Sequence, residues 1–177
     1  MVLASFMKKA LFLDRDGVIN KEINYLYKIE DFEFIDGIFS LCKHYINLGY
    51  MIFIVTNQSG IARNYYTEHD FENLTEWMLK IFIDHGIRIE KVYHCPHHEF
   101  ISGICKCRKP SPGMLYLAKK EFNIDLENSI MVGDKERDIE AAKNAGLNES
   151  YLLDETKTVI DSKATKIVGN LYDIWRL

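Results

Sequence analysis

Two aspartates directly follow a short apolar run near the beginning of the chain. Residues 10–13 read Ala-Leu-Phe-Leu, and Asp14, Arg15, Asp16 and Gly17 come next. Two carboxylates this close repel each other unless a cation or a proton relieves their charge. Mg²⁺ binds through oxygen ligands of this kind. The Asp14-x-Asp16 pair is therefore a candidate magnesium site, although an ordinary acidic turn explains the stretch equally well.

Three further polar motifs lie at the ends of predicted strands or in adjacent loops. The stretch 56–60 (Thr-Asn-Gln-Ser-Gly) offers hydroxyl, amide and backbone N–H groups that could surround an anion. Arg108 and Lys109 are adjacent cations, and Asp134 and Asp138 lie around the start of a predicted helix. Each motif alone is also explained as a turn, a solvated surface or a helix cap. Together their charges are complementary, because the acids could hold a metal while the hydroxyl and the lysine neutralise a phosphoryl group.

A cluster of cysteine and histidine lies between the motif at residues 56–60 and the adjacent cations Arg108 and Lys109. It consists of two pairs, Cys95 with His97 and Cys105 with Cys107. Three thiolates and one imidazole form a tetrahedral ligand set for a closed, structural Zn²⁺ site. Reduced free thiols are the alternative, and His94 or His98 could replace His97. The remaining cysteine, Cys42, lies on the apolar face of a predicted helix and is expected in the core.

The hydrophobic pattern predicts the elements that position these motifs. Short apolar runs predict strands over residues 10–13, 51–55, 92–93 and 129–132, and helical spacing predicts helices over 37–48, 67–85, 112–122 and 136–145. Strands that alternate with helices predict an α/β fold, a Rossmann-like three-layer sandwich with a mostly parallel sheet. Such folds bind ligands beyond the carboxyl ends of the strands, so the motifs should meet there. Nothing after Leu153 carries a chemical signal.

Length and composition restrict the class of protein. The chain has 177 residues, 47% of them apolar or aromatic, and a net charge of -4. We expect one globular domain over residues 1–177, which buries roughly 70% of the surface of the unfolded chain. The acidic balance argues against nucleic-acid binding, and no apolar run approaches the roughly 20 residues of a membrane-spanning helix. Because Lys8 and Lys9 follow the apolar N-terminal stretch where a signal peptide would have them first, we expect a cytoplasmic protein that starts at Met1 or Met7.

The ordered motifs resemble a known family. The order D-x-D, Thr, Lys and G-D-x-x-x-D resembles the haloacid dehalogenase (HAD) superfamily of phosphotransferases. The strings FLDRDGVIN, VTNQSGIAR, CPHH, CKCRKPSPGM and MVGDKERDIEAAKNAG are similar, more narrowly, to the D-glycero-D-manno-heptose 1,7-bisphosphate phosphatases. Histidinol phosphatases are the nearest relatives of that family. The resemblance runs from about residue 9 to residue 153.

The resemblance implies catalytic roles by position. Asp14 would be the nucleophile that forms an aspartyl-phosphate, and Asp16 would protonate the departing sugar oxygen and then deprotonate the hydrolytic water. Thr56 and Lys109 would stabilise the transferring phosphoryl group. Mg²⁺ would be held by the carboxylates of Asp14 and Asp134 and by the backbone carbonyl of Asp16.

The resemblance also implies positioning, zinc-binding and substrate-binding residues. Asp138 would orient Lys109 or a metal-bound water, and the family pattern favours His97 as the fourth zinc ligand. Arg108 has the planar fork suited to a second phosphate. The residues expected to contact the substrate are Glu22, Tyr25, Asn57, Gln58, Ser59, Arg108 and Lys135.

The resemblance implies a function as well. It is hydrolysis of the 7-phosphate of a heptose 1,7-bisphosphate, on the way to nucleotide-activated heptose and lipopolysaccharide precursors, by a monomer that acts on a phosphorylated sugar. Histidinol-phosphate hydrolysis and an inactive zinc-loop binding module are the alternatives. No long insertion separates the first two motifs, which predicts the absence of a large cap domain, so loops 20–30 and 95–107 would shape the entrance. In the first of these loops, Glu22-Ile-Asn-Tyr25 stands where the family often has an acidic residue and then His-Gly-Tyr.

Overall fold

The computed structural model describes residues 7–176. Residues 1–6 and 177 lie outside this range, and with them the question of whether the chain starts at Met1 or Met7. Among the described residues, no helix has the length and apolar character needed to cross a membrane.

A six-stranded sheet forms the centre of the fold. Its strands are β1 (Ala10–Leu13), β2 (Met51–Asn57), β3 (Ile89–Cys95), β4 (Ile130–Gly133), β5 (Glu149–Leu153) and β6 (Lys166–Val168). Their order is β3-β2-β1-β4-β5-β6, and each neighbouring pair is parallel. The predicted parallel sheet is confirmed. β1 and β4 are apolar and buried along their whole length, as is typical of strands that are covered on both faces.

Helices cover both faces of the sheet. They are α1 (Ile38–Asn47), α2 (Glu68–Asp84), α3 (Glu99–Ser102), α4 (Gly113–Phe122) and α5 (Glu136–Ala145), with short 3-10 helices at Ile29–Asp31 and Leu171–Ile174. The predicted N-cap of α2 is confirmed, because the Thr67 hydroxyl accepts from the Asp70 N–H while the Asp70 carboxylate accepts from the Thr67 N–H. This reciprocal pair satisfies two backbone groups that have no partner within the helix.

Two hydrophobic clusters hold the three layers together. Along β1, Leu11 and Leu13 point to one cluster and Phe12 to the other, which follows from the period of two in a strand. The first cluster contains the apolar faces of α1 and α2, including Cys42, which is fully buried as predicted. The second contains those of α4 and α5. The three-layer sandwich is therefore confirmed.

The structure differs from the predictions at several strand boundaries. β2 continues through Thr56 and Asn57, which pair with His94 and Cys95 of β3, so these two residues end a strand and do not follow it. β3 is also longer than the predicted residues 92–93, and β5 and β6 were not predicted. Within the described residues, the connections from β1 to α1 and from β2 to α2 are too short for a large cap domain, as expected.

Candidate active site

The predicted catalytic residues meet at the carboxyl edge of the three central strands. Asp14 follows β1, Thr56 is near the end of β2, and Asp134 follows β4. Since β1 pairs in parallel with both β2 and β4, these three ends lie side by side. Lys109 reaches the same place from the loop before α4, and Asp138 from the first turn of α5.

Lys109 lies between two carboxylates and is shielded from solvent. Its Nζ is 2.9 Å from Oδ1 of Asp14 and 2.8 Å from Oδ1 of Asp138, and it donates to the carbonyl of Val55 at 2.7 Å. The side chain of Asn57 binds the backbone of Lys109 on both sides, accepting from its N–H at 3.0 Å and donating to its carbonyl at 3.1 Å. Lys109 therefore has little freedom to move away from Asp14.

Burial and charge shift the ionisation of this pair. Burial raises the pKa of Asp14 to about 7; the Lys109 ammonium opposes this rise, and the carboxyl groups of Asp138, Asp134 and Asp16 add to it. Burial by itself would lower the pKa of Lys109, but its ion pairs with Asp138 and Asp14 outweigh this and raise it. Lys109 is thus held as a cation, while Asp14 lies among more negative charge than one lysine offsets.

Three of these carboxylates could hold a cation. Oxygen atoms of Asp14, Asp134 and Asp138 lie within 4.8 Å of one another. Oδ1 of Asp134 is buried and, among the described residues, has no hydrogen-bond partner. Gly17 keeps this space open, because a Cβ at its position would lie 2.3 Å from Oδ2 of Asp134. A hard divalent cation fits oxygen ligands in this arrangement.

Asp16 is held by a residue that the sequence analysis did not identify. Arg15 is buried and donates to Oδ1 of Asp16 from Nε at 3.2 Å, and from Nη2 to Oδ1 at 3.0 Å and to Oδ2 at 2.9 Å. Asn20 adds a further hydrogen bond to Oδ1 at 3.0 Å. A buried arginine beside an aspartate is a strong, geometrically fixed pair. The sequence offered a signal only in the position of Arg15 between the two acids.

A cleft of about 360 Å³ opens above Asp14, Asp16 and Thr56. All seven residues predicted to contact the substrate line it: Glu22, Tyr25, Asn57, Gln58, Ser59, Arg108 and Lys135. Burial raises the pKa of Glu22, as do the nearby carboxylates of Asp16 and Asp134. The loop 20–30 thus contributes to the entrance as expected.

Arg63 and Arg137 also line the cleft, and the sequence did not predict either of them. Nη2 of Arg63 is 2.7 Å from Nε2 of His98. Nη1 of Arg108, which was predicted, donates to the carbonyl of His97 at 3.2 Å, so Arg63 and Arg108 contact the same loop. Arg137 lies near Lys135 at the start of α5. Lys135 is 2.7 Å from Oδ2 of Asp134. Four cationic side chains therefore line the cleft, whereas Lys109 is buried behind Asp14.

The cysteine and histidine cluster is assembled beside the cleft. Ligand atoms of Cys95, His97, Cys105 and Cys107 all lie within 4.8 Å of one another. The three sulfur atoms are 3.0–3.5 Å apart, and Nδ1 of His97 is 3.6 Å from Sγ of Cys95 and 3.3 Å from Sγ of Cys107. Four such atoms around one centre fit a tetrahedral metal site. The cluster joins the end of β3 to the segment that leads into Arg108 and Lys109.

Comparison with known proteins places the chain among phosphatases. The model of the HAD-hydrolase-like family matches residues 106–172. A D-glycero-alpha-D-manno-heptose-1,7-bisphosphate 7-phosphatase of Campylobacter jejuni is 55% identical over 84% of both chains. A D-glycero-beta-D-manno-heptose-1,7-bisphosphate 7-phosphatase of Pasteurella multocida is 42% identical over 97% of both chains.

A solved structure agrees with the sequence relatives. It is a D,D-heptose 1,7-bisphosphate phosphatase of B. bronchiseptica complexed with magnesium and phosphate, and it is 26% identical, with a TM-score of 0.82 over 94% of this chain and 95% of that one. The chain belongs to the heptose 1,7-bisphosphate 7-phosphatase family of HAD-like hydrolases.

Proposed function

We propose that this protein removes the 7-phosphate of D-glycero-D-manno-heptose 1,7-bisphosphate. The observation that carries the proposal is that Asp14, which is paired with the buried Lys109, lines a cleft with four further cations. A substrate with one phosphate would need only the first of these features. A bisphosphate uses both, because its second phosphate requires cations away from the nucleophile.

The proposed reaction has two steps. In the first, a carboxylate oxygen of Asp14 attacks phosphorus, the bond from phosphorus to the sugar oxygen breaks, and Asp16 gives its proton to that oxygen. In the second, Asp16 takes a proton from water, whose oxygen attacks phosphorus and releases phosphate from Asp14. Lys109 and the Thr56 hydroxyl stabilise the negative charge of the transferring group in both steps. Asp138 and Asn57 keep Lys109 in place.

Two metals complete the proposed site. The carboxylates of Asp14 and Asp134 and the backbone carbonyl of Asp16 would hold Mg²⁺, which supplies charge neutralisation at the phosphoryl oxygens. Oδ1 of Asp134, which has no hydrogen-bond partner within residues 7–176, supports this assignment. Cys95, His97, Cys105 and Cys107 would hold a structural Zn²⁺, which supports the loop carrying Arg108.

The rest of the substrate would be bound by the rim of the cleft. Arg108 and Lys135 are the proposed partners of the second phosphate. Glu22, Tyr25 and Ser59, which line the same cleft, are the proposed partners of the sugar hydroxyl groups. Histidinol phosphate, the alternative substrate, carries a cationic amine that these cations would repel. We further propose that residues 1–177 form one domain and act as a monomer.

The test is phosphate release from the two anomers of the heptose bisphosphate and from histidinol phosphate, with Mg²⁺. We expect turnover of a heptose bisphosphate. We expect the alpha anomer to be preferred, because the Campylobacter jejuni relative at 55% identity is named a D-glycero-alpha-D-manno-heptose-1,7-bisphosphate 7-phosphatase. Asp14→Asn, which keeps the shape of the side chain, should abolish turnover. Preference for histidinol phosphate would contradict the substrate assignment, and no release from any of the three would contradict the proposed function.

A further inference from the structure

The side chain of Gln58 has all of its polar groups engaged within the protein. Its Nε2 donates to Oδ2 of Asp16 at 2.9 Å and to Oγ1 of Thr56 at 2.8 Å. Its Oε1 accepts from the hydroxyl of Tyr66 at 2.5 Å. Gln58 is 2% exposed, so almost none of it is accessible from the cleft that it lines. Both amide hydrogens are thus committed to groups of the proposed machinery.

We propose that Gln58 is a positioning residue for Asp16 and that Tyr66 fixes the orientation of the Gln58 amide. An amide can bind in two orientations, and only the one with Nε2 toward Asp16 gives an attractive contact with a carboxylate. In this orientation the Tyr66 hydroxyl donates to Oε1, which anchors the amide oxygen and keeps Nε2 on Asp16. This inference rests on the proposed acid–base role of Asp16, and it replaces the predicted contact of Gln58 with substrate.

The surroundings of the two residues hold them rigidly. The backbone N–H of Gln58 donates to the carbonyl of Cys95 at 2.8 Å, which attaches it to the end of β3. Tyr66 is 6% exposed, and its ring packs over Gly60, where a Cβ would lie 2.1 Å from Cε1 of the ring. The ring of Tyr27 stacks on it with centroids 5.6 Å apart. Gly60 thus permits the close approach that brings the Tyr66 hydroxyl to Gln58.

The position of Asp16 needs such a restraint for a physical reason. Arg15 and Asn20 bind Oδ1, and Arg15 also binds Oδ2; both of these partners belong to the same segment of the chain as Asp16. The Gln58 amide binds Oδ2 from another element, the loop after β2, and so adds a restraint that the segment around Asp16 does not supply. Proton transfer to a leaving oxygen depends on this orientation.

The first experiment separates positioning from substrate binding by kinetics on the heptose bisphosphate. Gln58→Met has a similar shape but no donor, and we expect its kcat to fall by about 10- to 100-fold with KM within about twofold. Tyr66→Phe keeps the packed ring, and its kcat should fall by about 3- to 10-fold. Tyr27→Phe, which removes a neighbouring hydroxyl that does not contact Gln58, is the matched control and should keep wild-type kinetics. A rise in KM with kcat unchanged would overturn the inference in favour of substrate binding.

A second measurement isolates the protonation of the leaving group. Phenyl phosphate needs a proton on its leaving oxygen more than 4-nitrophenyl phosphate does, and neither contains a sugar. kcat/KM reports the steps up to leaving-group departure, so Gln58→Met should lower it several-fold more for phenyl phosphate. Equal losses on the two substrates would overturn the inference.

The outcomes also distinguish this inference from the proposed function. If wild type is inactive, the proposed function fails; if wild type is active and Asp16→Asn retains full activity, the proposed acid–base role of Asp16 fails, and with it the positioning role of Gln58. If wild type is active and Asp16→Asn is not, but both Gln58→Met and Tyr66→Phe keep the wild-type kcat, only the positioning role fails. If Gln58→Met does not fold, Tyr66→Phe decides the question by the same two measurements.

Discussion

Replacing Lys109 with methionine should destabilise the protein strongly as well as inactivate it. The Lys109 and Asp138 side chains are completely buried and that of Asp14 is 6% exposed, so Asp138 cannot recover water when the ammonium is removed, and Asp14 reaches water only through the cleft. Breaking a buried ion pair by removing one partner costs about 3–5 kcal/mol. For a chain of this length each kcal/mol lowers Tm by about 2–4 °C, so the expected loss is about 6–20 °C.

The assay is thermal and urea unfolding in Mg²⁺-free buffer, with Lys143→Met as the control. Lys143 is an exposed lysine of α5, and its replacement should change stability by less than about 0.5 kcal/mol. Adding Asp138→Asn to Lys109→Met removes one of the two orphaned charges, and the double variant should recover part of the lost stability. Equal stabilities of Lys109→Met and Lys143→Met, or strictly additive losses in the double variant, would refute this account of the buried charges.

Three further predictions concern the glycine beside Asp134, the cysteine cluster and the cap of α2. Gly17→Ala should lower both kcat and stability, because Gly17 has a φ of +87° and a Cβ there would meet Asp134. Gly49 has a φ of +82° but open space around its Cβ position, so Gly49→Ala should cost only about 1–2 kcal/mol of stability. Equal effects of the two variants on kcat would contradict this reasoning. A Cys105→Ser, Cys107→Ser double variant should contain no zinc by elemental analysis. It should also show a higher KM for the bisphosphate, because the loop that carries Arg108 would no longer be held in place. An unchanged KM in the zinc-free protein would count against a role of the cluster in positioning Arg108. Thr67→Ala should cost about 1 kcal/mol in unfolding experiments and leave kcat unchanged. Hydrogen bonds from Thr67 hold the pKa of Asp70 below its ordinary value, so their stabilisation is present above that value and lost as the pH falls below it; a deficit of Thr67→Ala that grows in acid would be the wrong sign.

The sequence predicted the fold where the hydrophobic period was strong. The bounds of α5 agree with the prediction, and those of α1, α2 and α4 differ by one or two residues, because a helix with a clear apolar stripe also has recognisable start and stop residues. β5 and β6 were missed. β5 mixes polar and apolar residues, and β6 has three residues only, too few for a period to be read.

The sequence also determined which residue types could perform chemistry. The carboxylates of Asp14 and Asp134, the Lys109 ammonium and the cysteine and histidine cluster are local motifs. The charges of the acids and the lysine indicated that they belong together. Neighbouring parallel strands bring such motifs to one edge whatever the details of packing, and the structure places them there.

Only the tertiary structure decided how these groups are held. Arg15 was not predicted as a site residue, yet it is buried against Asp16; Gln58 was expected to contact the substrate, yet its amide connects Asp16 to Tyr66. Arg63 and Arg137 gave no signal, although both line the cleft. A hydrogen bond depends on distances of a few tenths of an ångström and on angles between elements remote in the chain. Composition and spacing indicate which groups could react, whereas the orientation of these groups is determined only when the loops pack around the edge of the sheet.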